Sequence, residues 1–161
     1  IQRPQYPHRV DSNMNWSLTI LLANVASTLF LVGLIWMVQI VHYPLFDDVG
    51  DTNYTRYQKR HQNNITYIVG PVMLIEIATA ILLAFYPIDG LSRSVIYLGI
   101  GLVVLIWLST ALIQVPCHEK LVKGFDPDAY KRLVQSNWIR TVAWTARGVV
   151  VTWMLVRLLP K

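Results

Sequence analysis

Cysteine occurs once in this chain, at position 117. A lone Cys117 excludes an intramolecular disulfide framework and leaves the redox compartment open. Charge is also scarce. Asp, Glu, Lys and Arg make up 14% of the residues, where soluble domains average about 25%. With 54% hydrophobic residues and a mean hydropathy of +0.42, that deficit points to an integral membrane protein. Acidic residues number 9 against 14 Lys and Arg, a net charge of +5. The surplus falls mainly in loops and at helix ends, which marks membrane flanks rather than a nucleic-acid surface. There is no phosphate-binding loop, nucleophile elbow, zinc-finger spacing or haem-attachment motif. No methionine opens the chain, so its start reads as processed or incomplete, with Met14 an alternative start. Residues 1–15, carrying Pro4 and Pro7, read as a flexible tail before a single domain over 16–161.

What the chain has in quantity is uninterrupted apolar sequence. Four segments, about 17–43, 65–86, 94–116 and 138–159, exceed the roughly 20 residues that span a hydrocarbon core. The first is too long for a signal-peptide core and is kept as a span. The expected fold is all-α: an integral-membrane four-helix bundle of two antiparallel hairpins. Ala23, Ser27, Gly99 and Gly101 are small enough to allow close helix packing. Trp16, Tyr86, Tyr97 and Trp153 fall towards one interface, and Trp36, Tyr43, Tyr67, Trp107 and Trp138 towards the other, as an aromatic belt requires.

Two connections carry capping signals. Gly50-Asp51-Thr52 can start a helix well before the second span, and Gly124 followed by Asp126-Pro127-Asp128 starts one near 127. Helices 2 and 4 should therefore project beyond the membrane on that side. A weak internal repeat sets Gln39, His42, Pro44 and Gly50 beside Gln114, Pro116, His118 and Gly124. Shared flanking prolines and basic residues explain it as well as a duplicated hairpin does.

This topology gathers His42, His61 and His118, three of the chain's four histidines, on one side with Gln39, Gln114, Asn137 and Arg140. Neutral imidazole is the commonest metal ligand. Gln39, Gln114 and Asn137 are the expected cofactor-binding partners, the glutamines fixing the imidazole tautomers. Each histidine taken singly is better explained as an interfacial residue; the three together slightly favour a shared site. Deeper lie Glu76 in span 2 and Arg147 in span 4. An isolated charge there costs about 2.5–3.5 kcal/mol on insertion scales, so the two should pair. Such a pair serves equally as a register lock or as a polar floor to the site. Arg140 and Arg147 are two turns apart and lie nearly on one helix face. Glu76 stands fifteen residues from His61, about 22 Å along a helix, so two sites or one elongated cavity fit better than one cluster. Pro71 and Pro116 can free backbone carbonyls near it.

Several stretches carry a resemblance: Gln39–Phe46, His61, Val69–Glu76, Ser109-Thr110, Gln114–His118 and Asn137–Arg147. Through them nearly the whole chain resembles a group of small bacterial four-helix membrane proteins without known function. More distantly, the corner after helix 3 and the Asn-Trp-x-Arg opening of helix 4 are similar to the anthrone-oxygenase-like family. The first resemblance implies a bacterial inner membrane, and the second oxidation of a hydrophobic aromatic substrate at the membrane.

The expected function is a metal-dependent oxidoreductase or oxygenase-like enzyme acting on a hydrophobic molecule. His42, His61 and His118 would bind iron, copper or zinc, and Glu76, Arg140 and Arg147 would handle protons or orient substrate. The alternative is a non-catalytic accessory subunit of a larger membrane complex, its histidines contacting pigment, haem or lipid, with other membrane subunits or its own copies as partners. Orientation follows the positive-inside tendency. The histidine side carries seven basic loop residues (Arg56, Lys59, Arg60, Lys120, Lys123, Lys131, Arg132) against five opposite (Arg3, Arg9, Arg93, Arg157, Lys161), which sets it in the cytoplasm and the N-terminus outside. The Cys117 thiol is the natural probe of that assignment.

Overall fold

Apolar sequence in lipid can satisfy its backbone amides only within its own segment, by forming helix, or in a closed barrel. The computed structural model describes residues 12–159, and these are mostly helical with no strand among them. The elements are α1 (Ser12–Met37), α2 (Asp51–Phe85), α3 (Arg93–Ser109), α4 (Val115–Leu121) and α5 (Pro127–Arg157). α1 begins inside the stretch 1–15 read as a tail, and the residues ahead of Ser12 lie outside the described ones.

Three helical stretches are long and apolar enough to cross a membrane: Trp16–His42, Thr52–Phe85 and Arg93–Leu121. The segment 138–159 is not among them. α5 gives its inner face to Asn137, Arg140, Thr141 and Arg147, all buried, and these lower its mean hydropathy. It packs against α1 and α3 nonetheless, while α2 also touches both, so the helices close a ring in the order α1, α2, α3, α5. The outside of that ring is apolar, with Leu22, Phe30, Ile75, Leu105, Val142 and Val149 exposed, which suits contact with lipid.

Inside, Leu21, Leu83, Ile96, Val151 and Met154 pack one end. Leu31, Ile35, Phe46, Ile106, Leu121 and Leu133 pack the end that holds the histidines. Of the small residues expected at helix contacts, Gly99 is the closest fit: a Cβ there would stand 3.0 Å from Arg147 Nη1, whereas at Gly101 it would meet nothing within 4 Å. Gly148, not singled out by the sequence, has the same tightness against Val32, at 3.1 Å.

The capping signals hold. Gly50 takes φ +74 and turns the chain into α2. Asp126 accepts a hydrogen bond from the Ala129 amide at 2.8 Å, with Pro127 in the first turn of α5. α2 has 35 residues and α5 has 31, which at 1.5 Å per residue is about 53 Å and about 47 Å.

Both polar corners contain a π turn, Val38–His42 and Thr110–Gln114. Proline accounts for them. Pro44 and Pro116 lack an amide proton, and their rings crowd the carbonyl four residues back. The residue ahead of each proline reaches one residue further: Tyr43 N bonds Val38 O at 2.9 Å, and Val115 N bonds Thr110 O. Each turn buries its glutamine, Gln39 or Gln114. Beyond the prolines the corners differ, since the first tightens into a 3-10 turn, Pro44–Val49, and the second continues as α4.

Candidate functional site

The first π turn, the N-terminal part of α2 and α4 bring three histidines together. His42 Nε2 stands 2.8 Å from His61 Nδ1, and the His61 and His118 rings are 5.5 Å apart. Phe46 packs edge-on against all three. His118 is held from both sides. Its Nε2 lies 3.1 Å from the Tyr43 hydroxyl and its Nδ1 2.8 Å from Gln58 Nε2. Gln58 Oε1 is buried with no partner, so the amide turned over would present an acceptor to Nδ1 at the same place.

Two residues here escaped the sequence reading. Tyr43 was assigned to the interfacial belt, but it is 3% exposed and faces His118. Gln58 lies in the most polar stretch of the chain yet is fully buried. Its one sequence signal is the three-residue spacing from His61, which places both on one helix face. The glutamines expected beside the histidines bind α5 instead. Gln39 donates to Val134 O at 3.2 Å and accepts from Asn137 Nδ2 at 2.9 Å. Gln114 donates to Ser136 Oγ at 2.8 Å.

As placed, no three or more His, Cys, Asp or Glu side chains among the described residues are arranged to hold a metal ion. His42 and His61 come nearest. Their 2.8 Å nitrogen separation is a little shorter than that of two neighbouring ligands each about 2.0–2.1 Å from one ion. His118 would need to release Tyr43 to join them.

A cavity of about 500 Å³ runs inward from the histidines. His61, His118 and Arg140 form its polar wall, and Leu31, Ile35, Val38, Val69 and Met73 lie along the apolar one. Trp107, also expected in the belt, lines it too. A second depression of about 730 Å³ lies on the other side of His42 and His61, lined also by Arg56 and Arg60.

Deeper in the bundle Glu76 and Arg147 form the expected ion pair, Nε to Oε1 at 2.8 Å, both buried. Every remaining charged atom there has a partner. Thr28 donates to Glu76 Oε1 at 2.8 Å and Trp144 Nε1 to Oε2 at 3.1 Å. Arg147 Nη1 donates to Gly99 O at 2.7 Å and Nη2 to Asn24 Oδ1 at 3.1 Å. Asn24 in turn donates to Glu76 O and Thr79 Oγ1. One network thus ties α1, α2, α3 and α5. It meets the cavity at Trp144, whose ring lies under the Arg140 guanidinium at 5.0 Å.

The structure therefore gathers His61, His118 and Arg140 around one end of the cavity, with His42 behind His61, and sets Glu76 and Arg147 apart as its support. No family model matches the chain, and no curated protein or solved structure matches it either.

Proposed function

We propose that the histidine corner is the metal-binding site of a small membrane oxidoreductase, and that the cavity beside it takes a hydrophobic molecule from the bilayer. In this reading α5 is the fourth span of an integral-membrane four-helix bundle. The resemblance to the anthrone-oxygenase-like family points the same way. The observation that supports it is convergence: three of the chain's four histidines meet at one corner, and two of them, His61 and His118, line the polar end of an otherwise largely apolar cavity.

Imidazole suits iron, copper and zinc alike, and iron or copper would supply the electron-transfer chemistry. His42 and His61 would hold the ion through the two nitrogens that face each other. His118 would serve as a third ligand if its Nε2 were released by Tyr43, and the free oxygen of Gln58 would then accept the Nδ1 proton and fix the tautomer. The apolar wall binds the substrate and keeps water from it. Glu76, itself paired with Arg147, acts on the site through Trp144, which it holds in place.

The test is metal analysis of the purified protein after loading with iron, copper or zinc and removal of excess. Retention of about one equivalent by the wild type, lost in His42→Ala and His61→Ala, supports the reading. A wild type that retains none ends it. A second reading, the non-catalytic accessory subunit, draws on one observation: both ring nitrogens of His118 already have partners, so it needs no ion to hold it in place. It expects no metal and stable co-purification with larger membrane partners.

A further inference from the structure

The two inner arginines of α5 are treated differently. Arg147 has Glu76. Arg140, 7% exposed, makes no salt bridge among the described residues, and its Nε is buried without a partner. Its company is the Trp144 ring at 5.0 Å and the Tyr43 hydroxyl beside it. Glu119, the one carboxylate on the cavity wall, is itself exposed and forms no ion pair with it. A desolvated guanidinium with neither counter-charge nor full hydrogen bonding is costly, and chains that keep one commonly use it on a ligand.

A second atom on the same wall repeats the pattern. Trp107 Nε1 is a buried donor with no acceptor, contributed by the neighbouring helix α3. Indole N–H and guanidinium N–H can only donate, so both groups call for an acceptor. Arg140 Nε and a neighbouring terminal nitrogen form the side-on fork that matches the two oxygens of a carboxylate. Trp144 stacks under that fork and is fixed by Glu76, so the guanidinium is held in place before anything arrives. From there the wall runs apolar through Leu31, Ile35, Val69 and Met73. The volume, about 500 Å³, suits one small organic molecule.

We infer that the cavity binds a hydrophobic carboxylic acid, its carboxylate on Arg140 and its apolar body along α1 and α2. This rests on reading the cavity as a small-molecule site and names the substrate class for it; it does not depend on a metal. The carboxylate enters as the counter-ion that Arg140 lacks, so an uncharged analogue of equal length gains only the apolar contacts.

The experiment is quenching of tryptophan fluorescence in the full-length protein by dibromostearate, with dibromostearyl alcohol as the uncharged comparison, before and after chelator treatment. Trp107 and Trp144 both line the cavity and report the bromines. Saturable quenching by the acid is expected, with the alcohol about 10- to 100-fold weaker, the worth of a hydrogen-bonded charge. Arg140→Met should bring the acid down to the alcohol's level. Arg140→Lys keeps the charge without the fork and should retain a reduced preference, which keeps the test open should the methionine variant not fold. Absence of saturable quenching by the acid, equal affinity for the alcohol in the wild type, or undiminished acid preference in the arginine variants overturns the inference. Metal analysis of the same sample is read separately: acid binding that survives in a protein retaining no metal removes the oxidoreductase and leaves the carboxylate site.

Discussion

Trp144 donates its indole N–H to Glu76 Oε2 across 3.1 Å and carries the Arg140 guanidinium on its ring. One buried side chain therefore joins the deep ion pair to the cavity. Trp144→Phe keeps most of the apolar volume and removes the donor, leaving Glu76 Oε2 without its partner in the interior. A loss of about 1–3 kcal/mol is expected for an unsatisfied buried group. It would be read from the unfolding midpoint in mixed micelles, together with weaker acid binding as Arg140 loses its stacking surface.

Breaking the ion pair from one side should cost more. Glu76→Ala leaves Arg147 as an uncompensated charge among four helices, and loss of one partner of a buried pair is worth about 3–5 kcal/mol. Replacing both, Glu76→Met with Arg147→Met, should recover much of that stability, because the charge needing a partner is gone. A double variant no more stable than Glu76→Ala would show that the surrounding hydrogen bonds, rather than charge pairing, hold the helices.

The sequence announced this pair because a charge inside an apolar run is too costly to leave alone, so position itself implies a partner. The Asp126-Pro127 cap was legible for a similarly local reason. The histidine environment was harder to read. Regular helical periodicity sets Gln39 beside His42 and leaves Tyr43 at the interface, but each π turn inserts an extra residue, and one residue is about 100° of rotation. Gln39 and Gln114 therefore face α5, and Tyr43 faces inward. Gln58 was hidden differently. Among Arg56, Lys59, Arg60, Gln62, Asn63 and Asn64 a glutamine carries no compositional signal, and its burial against His118 of α4 is a tertiary contact.

Gly99 and Gly101 provide an internal control for the α3 contact. An alanine at 99 would place its methyl 3.0 Å from Arg147 Nη1, which donates to the carbonyl of the same residue at 2.7 Å. The guanidinium must shift and strain its other bonds, so Gly99→Ala is expected to destabilise by about 1–3 kcal/mol. Gly101→Ala meets open space and should be neutral or slightly stabilising through the better helix propensity of alanine. Paired unfolding curves decide it; equal effects would deny the close approach.

Gln58 separates the metal reading from a purely structural cluster. If its amide oxygen fixes the His118 tautomer for an ion, Gln58→Ala should weaken metal retention about 10- to 100-fold, the usual effect of removing an outer partner of a metal-bound histidine. Gln58→Glu keeps an acceptor at His118 Nδ1 and should retain most of the affinity. Competition with a chelator of known strength measures both. Loss in the glutamate variant equal to that in the alanine variant would count against an acceptor role.

Orientation can be tested once the natural thiol is set aside. Cys117 is buried, 4% exposed, so a maleimide would report folding there rather than sidedness. Asp89 and Asp128 are both exposed, one in the turn between α2 and α3, the other in the first turn of α5 on the histidine side. In a Cys117→Ala background, Asp89→Cys and Asp128→Cys place one thiol on each face. The seven basic residues of the histidine side should retain that face in the cytoplasm. A membrane-impermeant maleimide added to intact bacterial spheroplasts should then label Asp89→Cys at once and Asp128→Cys only after lysis. The margin is narrow, seven against five with three of the five in residues 3, 9 and 161, so the loop between α2 and α3 matters most: it brings a single arginine, Arg93, at the start of α3. Adding two lysines beside Asp89 should shift a measurable fraction of chains to the reverse labelling pattern, as expected if the basic residues set the orientation. Unchanged labelling would assign that control to the helices themselves.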